Sequence, residues 1–314
     1  MRAYVPLFAL LFTACPPPSS PGTDKDGAAD SGDTGADEGR TFEDFVNVTT
    51  AWTGNTDECI AGKVQDVDPS CIVDMTINGE VSDFQTEDAV PDTTVQVWFN
   101  DDIFNTADVT TQADGDGNFS FDAPSCTPIA YGTFTPPEWE ETKDTYEVHQ
   151  VFGYAGDGSS DEIFNSVSEA TSRLIPSLIG IEWEEETTGI IAGTAYDCDI
   201  EPMQYVQIFL HDGNGTPPAT GEVFYFSESG GTSLPTDKDS QPHSNTNGLW
   251  VAMNVPEGTW TVEAWGWDAG TSTHVKLGAT VLQIAAGSVN ISNIYTGISD
   301  GIWYPGSCLS ACGG

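Results

Sequence analysis

Short β-strand signals occur twice along this chain, in the same order, and this duplication most constrains what it can fold into. Runs of Val, Ile, Thr, Trp and Phe are separated by turn clusters rich in Gly, Pro, Asn and Asp, which is typical of strands joined by tight turns. Three segments have a later counterpart: Ile77–Asp83 and Ile191–Asp197, Val95–Phe99 and Val206–Leu210, Gly117–Phe121 and Gly248–Ala252. The repeat predicts two units of about a hundred residues each.

Alternation within the matched strands predicts which side chains face a core, because successive residues of a strand point to opposite faces. The inward set is Val95, Val97 and Phe99 in the first unit, and Val206, Ile208 and Leu210 in the second. Gln96 and Gln207 then face outward. One apolar and one polar face favour antiparallel sheets, and the regular spacing of turns favours a sandwich.

A family resemblance is carried by the order of motifs in each unit. The second unit has Asn247-Gly248-Leu-Trp250 and then Val255-Pro-Glu-Gly258-Thr-Trp260, and the first has Asp116-Gly-Asn-Phe119. This order resembles the carboxypeptidase regulatory-like domains, whose fold is a seven-stranded transthyretin-like β-sandwich. The resemblance implies an all-β protein of two antiparallel, seven-stranded, transthyretin-like β-sandwiches with one intervening helical segment. Its motifs mark a fold more than an activity.

The segment between the units has a helical pattern. Apolar residues recur every three or four positions within 161–181, Ser166 and Glu169 have the spacing of a capping box, and Pro176 should end or kink the helix. The apolar positions are Ile163, Val167, Ala170, Leu174 and Leu178. If Trp250 and Ala252 face inward, the opposite face of their strand (Leu249, Val251 and Met253) needs a cover, and this helix is the predicted one.

The first residues of the chain resemble a bacterial lipoprotein signal. Arg2 precedes an apolar run too short to span a bilayer, and Leu11-Phe-Thr-Ala14 leads to Cys15 as a lipidation site. An ordinary secretory signal is the alternative. The residues after Cys15 have almost no apolar side chain to bury, which predicts a disordered stalk. We expect a lipid-anchored, exported protein of the cell envelope, held at the outer membrane.

These patterns divide the chain into seven predicted parts. They are a signal peptide 1–14, a disordered acidic stalk 15–45, a leading segment 46–71, β-sandwich domain 1 at 72–152, a helical linker 153–187, β-sandwich domain 2 at 188–296 and a Cys-containing tail 297–314.

Cysteine number fits this location. Seven cysteines are present, and lipidation of Cys15 would leave six. In an oxidising envelope these six are candidates for structural disulfides with undetermined pairing: Cys59, Cys71, Cys126, Cys198, Cys308 and Cys312. Zinc binding is disfavoured because the chain has no Cys-X2-Cys pair and its four histidines are scattered. We predict no metal site.

Charge excludes one class of partner. The formal net charge is −41, from 49 acidic and 8 basic side chains, so phosphate neutralisation cannot support nucleic-acid binding. The run Asp114-Gly-Asp116-Gly-Asn118 resembles a calcium loop, but Phe119 replaces the glycine that loop needs, and a β-turn explains it better. No catalytic motif is visible, so we predict no enzyme and no cofactor.

One strand suggests a ligand surface. In 260–267, alternation puts Trp260, Val262 and Ala264 on one face and Glu263, Trp265 and Trp267 on the other. Two indoles on an outer face could stack on sugar rings, with Glu263 accepting hydroxyl hydrogen bonds. The alternative is a bulge at Gly266 that returns Trp267 to a core or interface.

The sequence therefore leaves three functions. The first is a non-catalytic structural or protein-interaction module tethered to the membrane by its lipid, with a surface protein as its partner. The alternative is a carbohydrate-binding module that uses the aromatic face of domain 2, and a hydrolase ranks third.

Overall fold

A computed structural model describes residues 48–56, 59, 65–135, 142–154, 159–229, 232–236 and 240–309. The predicted signal peptide, stalk, Cys15 and Cys312 lie outside these residues. Within them the protein is all-β, with two sandwich-like arrangements of sheets and one intervening helix. The strands are β1 (Asp74–Asp83), β2 (Thr94–Trp98), β3 (Val109–Gln112), β4 (Asn118–Pro124), β5 (Pro128–Phe134), β6 (Thr142–Lys143), β7 (Thr145–Val151), β8 (Ser159–Ser168), β9 (Thr188–Tyr196), β10 (Gln207–His211), β11 (Glu222–Ser229), β12 (Thr232–Thr236), β13 (Leu249–Pro256), β14 (Gly258–Asp268), β15 (Thr273–Ile284), β16 (Val289–Ile291) and β17 (Ile294–Tyr295); the helices are α1 (Glu169–Ile179) and α2 (Gly306–Leu309), with a 3-10 turn at Pro69–Cys71.

The first sandwich packs two sheets around an apolar core. The sheet β4-β1-β8-β6 faces the strands β7-β5-β2-β3. Val95 and Val97 are fully buried in this core and Phe99 packs against it, so the predicted alternation is confirmed. Phe164 of β8 lies at its centre, with its ring centroid 4.8 Å from that of Phe119 and 4.2 Å from that of Tyr131.

The second sandwich packs the sheet β10-β14-β15 against the strands β12-β11-β13-β9-β16. Val206, Ile208 and Leu210 belong to its core, as predicted, together with Trp250 and Ala252. Gln207 points away from this core, but it is buried instead of wet. Buried side chains of the first unit join the same core, notably Trp98, Ala130 and Val148.

The two units share a sheet. β16 pairs in parallel with β7 of the first unit and with β9 of the second, which makes one ten-stranded sheet that runs through both. Most other pairings are antiparallel; β1 with β8 and β9 with β17 are parallel. A strand of three residues therefore joins the two sandwiches through backbone hydrogen bonds.

The intervening helix is present but begins later than predicted. Residues Ser159–Ser168 form β8, so the helical prediction is wrong for that part of 161–181. The N-cap is Ser168, whose hydroxyl accepts a hydrogen bond from the Thr171 N–H, and not Ser166. Pro176 lies inside α1, and the helix ends at Gly180 with a φ of 73°.

α1 covers the sheet face that needed a cover. Leu249, Val251 and Met253 are buried in a cluster against which Ile175 and Ile179 of the helix pack. The cover is therefore confirmed, although the predicted apolar stripe is wrong. Its members Ile163 and Leu178 are large hydrophobic side chains that are exposed to solvent instead.

Candidate functional site

The predicted aromatic surface lies on β14, in the middle of the three-stranded sheet. Val262 and Ala264 face the core of the second sandwich, and Trp260 packs against it. Glu263 and Trp265 lie on the opposite face, where the Trp265 Nε1–H donates to Glu263 Oε2 at 2.9 Å. The alternation expected for this strand is therefore observed up to Trp265.

A bulge interrupts the pairing of this strand with β15. Ala264 is opposite Gly278 and Trp265 is opposite Lys276, so Leu277 is the extra residue. The bulge therefore lies on β15, whereas the alternative prediction from the sequence placed it at Gly266 of β14. Because β14 itself keeps its alternation, Trp267 follows Trp265 on the same side of the strand.

Glu263 is deeply buried and fully engaged by its neighbours. Its side chain is 5% exposed, and its Oε1 lies 3.3 Å from His211 Nε2 and 3.6 Å from Lys276 Nζ. A buried carboxylate needs such partners, because removal from water is costly unless charge and hydrogen bonds compensate it. The side chain that the sequence offered as a sugar-hydroxyl acceptor is thus part of a polar network inside the fold.

The first described residues of the chain lie against Trp267 and its neighbour His274. Ala51 forms a parallel bridge with Trp267, and the Val48 carbonyl oxygen lies 3.0 Å from His274 Nε2. The ring of His274 meets that of Trp267 edge-on, with centroids 5.1 Å apart. Trp265 and Trp267 are both half-buried and do not form an open shallow groove.

Two further polar residues lie on this face of β10: Gln207, whose outward direction the sequence predicted, and His211, which it did not. Both are buried, with Gln207 paired opposite Trp265 and His211 close to Glu263. The Gln207 Nε2 donates to the Pro242 carbonyl at 3.2 Å, while its Oε1 has no hydrogen-bond partner. Their alternation with Ile208 and Leu210 was a signal for the face, but not for its burial.

Two disulfides connect distant parts of the chain. Cys59 bonds Cys198 across 139 residues, and Cys126 bonds Cys308 across 182 residues. Cys71 is also disulfide-bonded. Four of the six predicted structural cysteines thus pair within the described residues, and the Cys126 bond ties the first unit to the end of the chain.

The calcium-like run is a hydrogen-bonded turn. Asp114 Oδ1 accepts from the backbone N–H groups of Asp116 and Asn118, both at 2.9 Å, and Gly117 has a φ of 83°. These hydrogen bonds lower the pKa of Asp114. Asp212 makes the same turn toward Asn214 and Thr216 in the second unit. Both carboxylates accept hydrogen bonds from backbone N–H groups, as expected for Asx turns that lead into strands.

The first sandwich carries an open polar groove of about 680 Å³. Its rim is formed by amide and carboxylate side chains, including Asn78, Glu80, Gln112 and Glu162, and by the exposed Ile163. Among its lining residues there is no Cys or His to act as a nucleophile or a base. In the described part of the chain, no three His, Cys, Asp or Glu side chains are grouped to hold a metal ion.

Comparisons with known proteins give fold-level similarities at most. No protein-family model matches the chain, and no curated protein matches it. Solved structures that align with it include the Bacillus anthracis TIE protein (11% identity, 71% of this chain and 34% of that one, TM-score 0.22). Others are BcpA, the major pilin subunit of Bacillus cereus (9% identity, 71% and 100%, 0.22), and the shaft pilin SpaA of Lactobacillus rhamnosus GG (12%, 74% and 100%, 0.23). At these TM-scores none of them assigns the chain to a family.

None of the described helices has the length and apolar character needed to cross a membrane.

Proposed function

We propose that this protein is a lipid-anchored cell-envelope protein that acts as a non-catalytic structural or protein-interaction module. The observation that carries the proposal is the joint between the two sandwiches. A continuous sheet and a shared apolar core cross it, and a disulfide ties the first sandwich to the segment that follows the second. Such a joint holds two binding or spacing surfaces in one fixed arrangement, which is what a tethered spacer needs and what an enzyme does not require.

The packing at the joint supports a rigid connection. Trp98 of the first unit is buried in the same core as Trp250 of the second, and Tyr146, whose ring lies 6.0 Å from that of Trp98, packs against this core. Burial of large aromatic side chains stabilises such an interface by about 2 kcal/mol each. Relative motion of the units would expose these side chains and break the β16 pairings.

The anchor and the partners rest on the sequence. Cys15 as the lipid site, the stalk 15–45 and export of the disulfide-bonded domains fit together, because disulfides persist in oxidising compartments. The membrane is then contacted through the lipid, and the acidic domains present a surface for another protein. An outer-membrane location is part of this proposal.

The rigid joint can be measured as a distance distribution. Spin labels at Gly115 and Gly213, introduced as non-canonical residues, report on the distance between the units, because a Cβ at either position meets no other atom within 4 Å. A second pair at Gly213 and Ala269 lies within one unit and sets the width expected of a rigid body. Equal widths support the spacer, and a much broader distribution between the units refutes it.

The anchor has a separate test. Cells expressing the full chain with Cys15→Ser should lose incorporation of an alkyne fatty acid and release the protein from membranes, whereas Ser19→Ala should behave like wild type. Continued membrane retention and labelling of Cys15→Ser would reject lipidation at Cys15 without affecting the distance measurement.

A carbohydrate-binding module remains the second candidate. Trp265 and Trp267 share a face of β14 and each keeps part of its indole exposed, which leaves aromatic surface for a sugar ring. The burial of Glu263 supports the structural role over this one. A glycan array probed with wild type and with the double variant Trp265→Ala, Trp267→Ala tests it: no glycan bound by wild type, or binding unchanged in the variant, ends this candidate.

A further inference from the structure

His149 occupies a backbone position that is unusual for a residue with a side chain. It lies in a β-bulge of β7, where the pairing with β5 shifts between Ile129 and Tyr131, and its φ is 59°. Left-handed backbone is unfavourable for residues with a Cβ, and bulges re-aim side chains out of the regular alternation. The bulge turns the imidazole away from the first unit and toward β15 of the second.

Both ring nitrogens of His149 face hydrogen-bond acceptors. Nδ1 lies 3.1 Å from Asp101 Oδ2, and Nε2 lies 2.6 Å from the Val281 carbonyl oxygen. The backbone N–H of His149 also donates to Asp101 Oδ1 at 3.1 Å. A carbonyl oxygen and an ionised carboxylate have no proton to give, and a neutral imidazole has one N–H. Both ring hydrogen bonds can therefore form together only with the imidazolium.

The surroundings favour this charged form. Burial opposes the charge, but the hydrogen bond to Asp101, the charges of Asp101 and Asp300 and the bond to Val281 outweigh it and raise the pKa of His149. Tyr304 and Asp102 are further titratable groups in this region, and burial, together with the charges of Asp300 and Asp101, raises the pKa of Tyr304. Gly301 packs against the ring, since a Cβ there would lie 2.9 Å from His149 Cδ2.

The Val281 carbonyl belongs to the outer edge of a sheet. β15 ends the three-stranded sheet, and its edge bonds to the β17 region through Leu277 and Ala279. Val281 is the next outward group on that edge, and His149 caps it. Beside it, Gln283 Nε2 donates to Asp102 Oδ1 at 2.8 Å, so the loop 99–108 of the first unit docks on the same edge.

We propose that His149 is a proton-dependent latch: its imidazolium holds the 99–108 loop of the first unit against the β15 edge of the second, and loss of one proton releases that contact. Deprotonation leaves one ring N–H for two acceptors, so either Asp101 Oδ2 or the Val281 carbonyl loses its donor. The joint then loosens at this edge while the shared core and the β16 pairings still hold the units together. The latch does not depend on lipidation or on any ligand.

The latch predicts a specific behaviour for an isosteric variant. In Asp101→Asn, the amide nitrogen can donate to Nδ1 of a neutral imidazole, whose Nε2–H still donates to Val281, while Asn Oδ1 still accepts from the His149 N–H. This variant should hold the loop throughout the pH range in which wild type releases it. His149→Gln cannot bridge both acceptors and should leave the loop released at every pH, and His243→Gln controls for loss of a histidine elsewhere.

Two measurements on the full chain test the latch. Ring ¹⁵N shifts, assigned by comparison with His149→Gln, should show His149 titrating above the pH of an ordinary histidine. Hydrogen exchange of the 99–108 peptide, corrected for intrinsic rates, should lose its protection across the same pH range in wild type and in His243→Gln, but not in Asp101→Asn. A neutral His149 ring below pH 6, loop protection that does not change through the titration, or loss of protection in Asp101→Asn as in wild type would each overturn the proposal. If His149→Gln does not fold, the wild-type titration and Asp101→Asn still decide it.

Discussion

Glu147 is a buried carboxyl group whose replacement should make the protein more stable at alkaline pH. It lies on β7 and is 7% exposed. Burial raises its pKa from 4.5 to about 7, and this effect outweighs the hydrogen bonds from Asn165 and Tyr131, which act in the opposite direction. The Tyr131 hydroxyl also accepts from the Asn165 backbone N–H at 3.1 Å, so the group sits in a fixed network.

The size and sign of the effect follow from proton linkage. A pKa shift from 4.5 to about 7 corresponds to about 3 kcal/mol of free energy, because each pKa unit is a tenfold change in proton affinity and corresponds to about 1.36 kcal/mol. The folded protein holds the Glu147 proton more tightly than the unfolded chain does. The contribution of this group is therefore fully present below pH 4.5 and is lost as the pH rises through about 7. Glu147→Gln cannot ionise, so its stability relative to wild type should rise by up to about 3 kcal/mol over that interval.

Urea denaturation of both proteins at pH 4.5, 6, 7 and 8.5, with disulfides intact, measures this difference. The two free energies of unfolding should be close at pH 4.5 and should diverge in favour of Glu147→Gln by pH 8.5. Glu182→Gln removes the same negative charge from the exposed surface and controls for net charge. A wild-type-minus-variant difference that does not change with pH would refute the reasoning, since it would mean that Glu147 does not change its protonation on folding in this range.

Three other substitutions test the packing, the turn and the disulfide. Gly278→Ala should lower the Tm strongly, because its Cβ would lie 2.3 Å from the Tyr295 carbonyl oxygen. Gly213→Ala, whose Cβ would meet no atom within 4 Å, should leave the Tm unchanged, and thermal unfolding followed by circular dichroism compares the two. Asp114→Ala should lower the Tm, because it removes the two hydrogen bonds of the turn. Added calcium should shift the Tm of the variant and of wild type equally, and a larger shift in wild type would indicate that this turn binds calcium. Cys198→Ser opens a loop of 139 residues and should cost about 2–5 kcal/mol of unfolding free energy in urea, and an unchanged midpoint would count against a structural role.

The parts of the fold that could be predicted are those set by local alternation. The period of two assigned Val95, Val97, Ile208 and Leu210 to their cores, because side-chain direction along a strand depends on the backbone alone. The same period on β13 predicted an apolar outer face and hence a covering helix. Both results need only neighbouring residues and the rule that apolar faces are buried.

β8 could not be predicted in this way, because its partner is distant in sequence. Ile163 and Val167 fit a helical stripe, but Phe164 between them fills the first core, and β8 pairs in parallel with β1, about eighty residues earlier. Burial of one aromatic ring and a ladder of backbone hydrogen bonds outweigh local helix propensity. Ile163 is left 63% exposed as a result.

The sequence predicted which side chains of the candidate site share a face of β14, but it did not predict that this face is partly buried. The reason is again that the covering residues are distant in sequence. Alternation put Glu263 and Trp265 on one side of β14, yet whether that side is wet depends on what packs over it. The residues that bury Glu263, namely His211 and Lys276, come from two other strands, and each is polar enough to look solvent-facing in the sequence. A charged residue in an outward position predicts solvent only if no opposite charge is brought beside it, and that depends on sheet order. The joint between the units could not be predicted for the same reason. β16 is only three residues long, and its pairing with β7 joins it to the other unit. His149 lies in a bulge of β7, and its contact with Val281 is likewise made to a strand of the other unit. The contacts that join the two units are therefore made between the repeats and not within either of them.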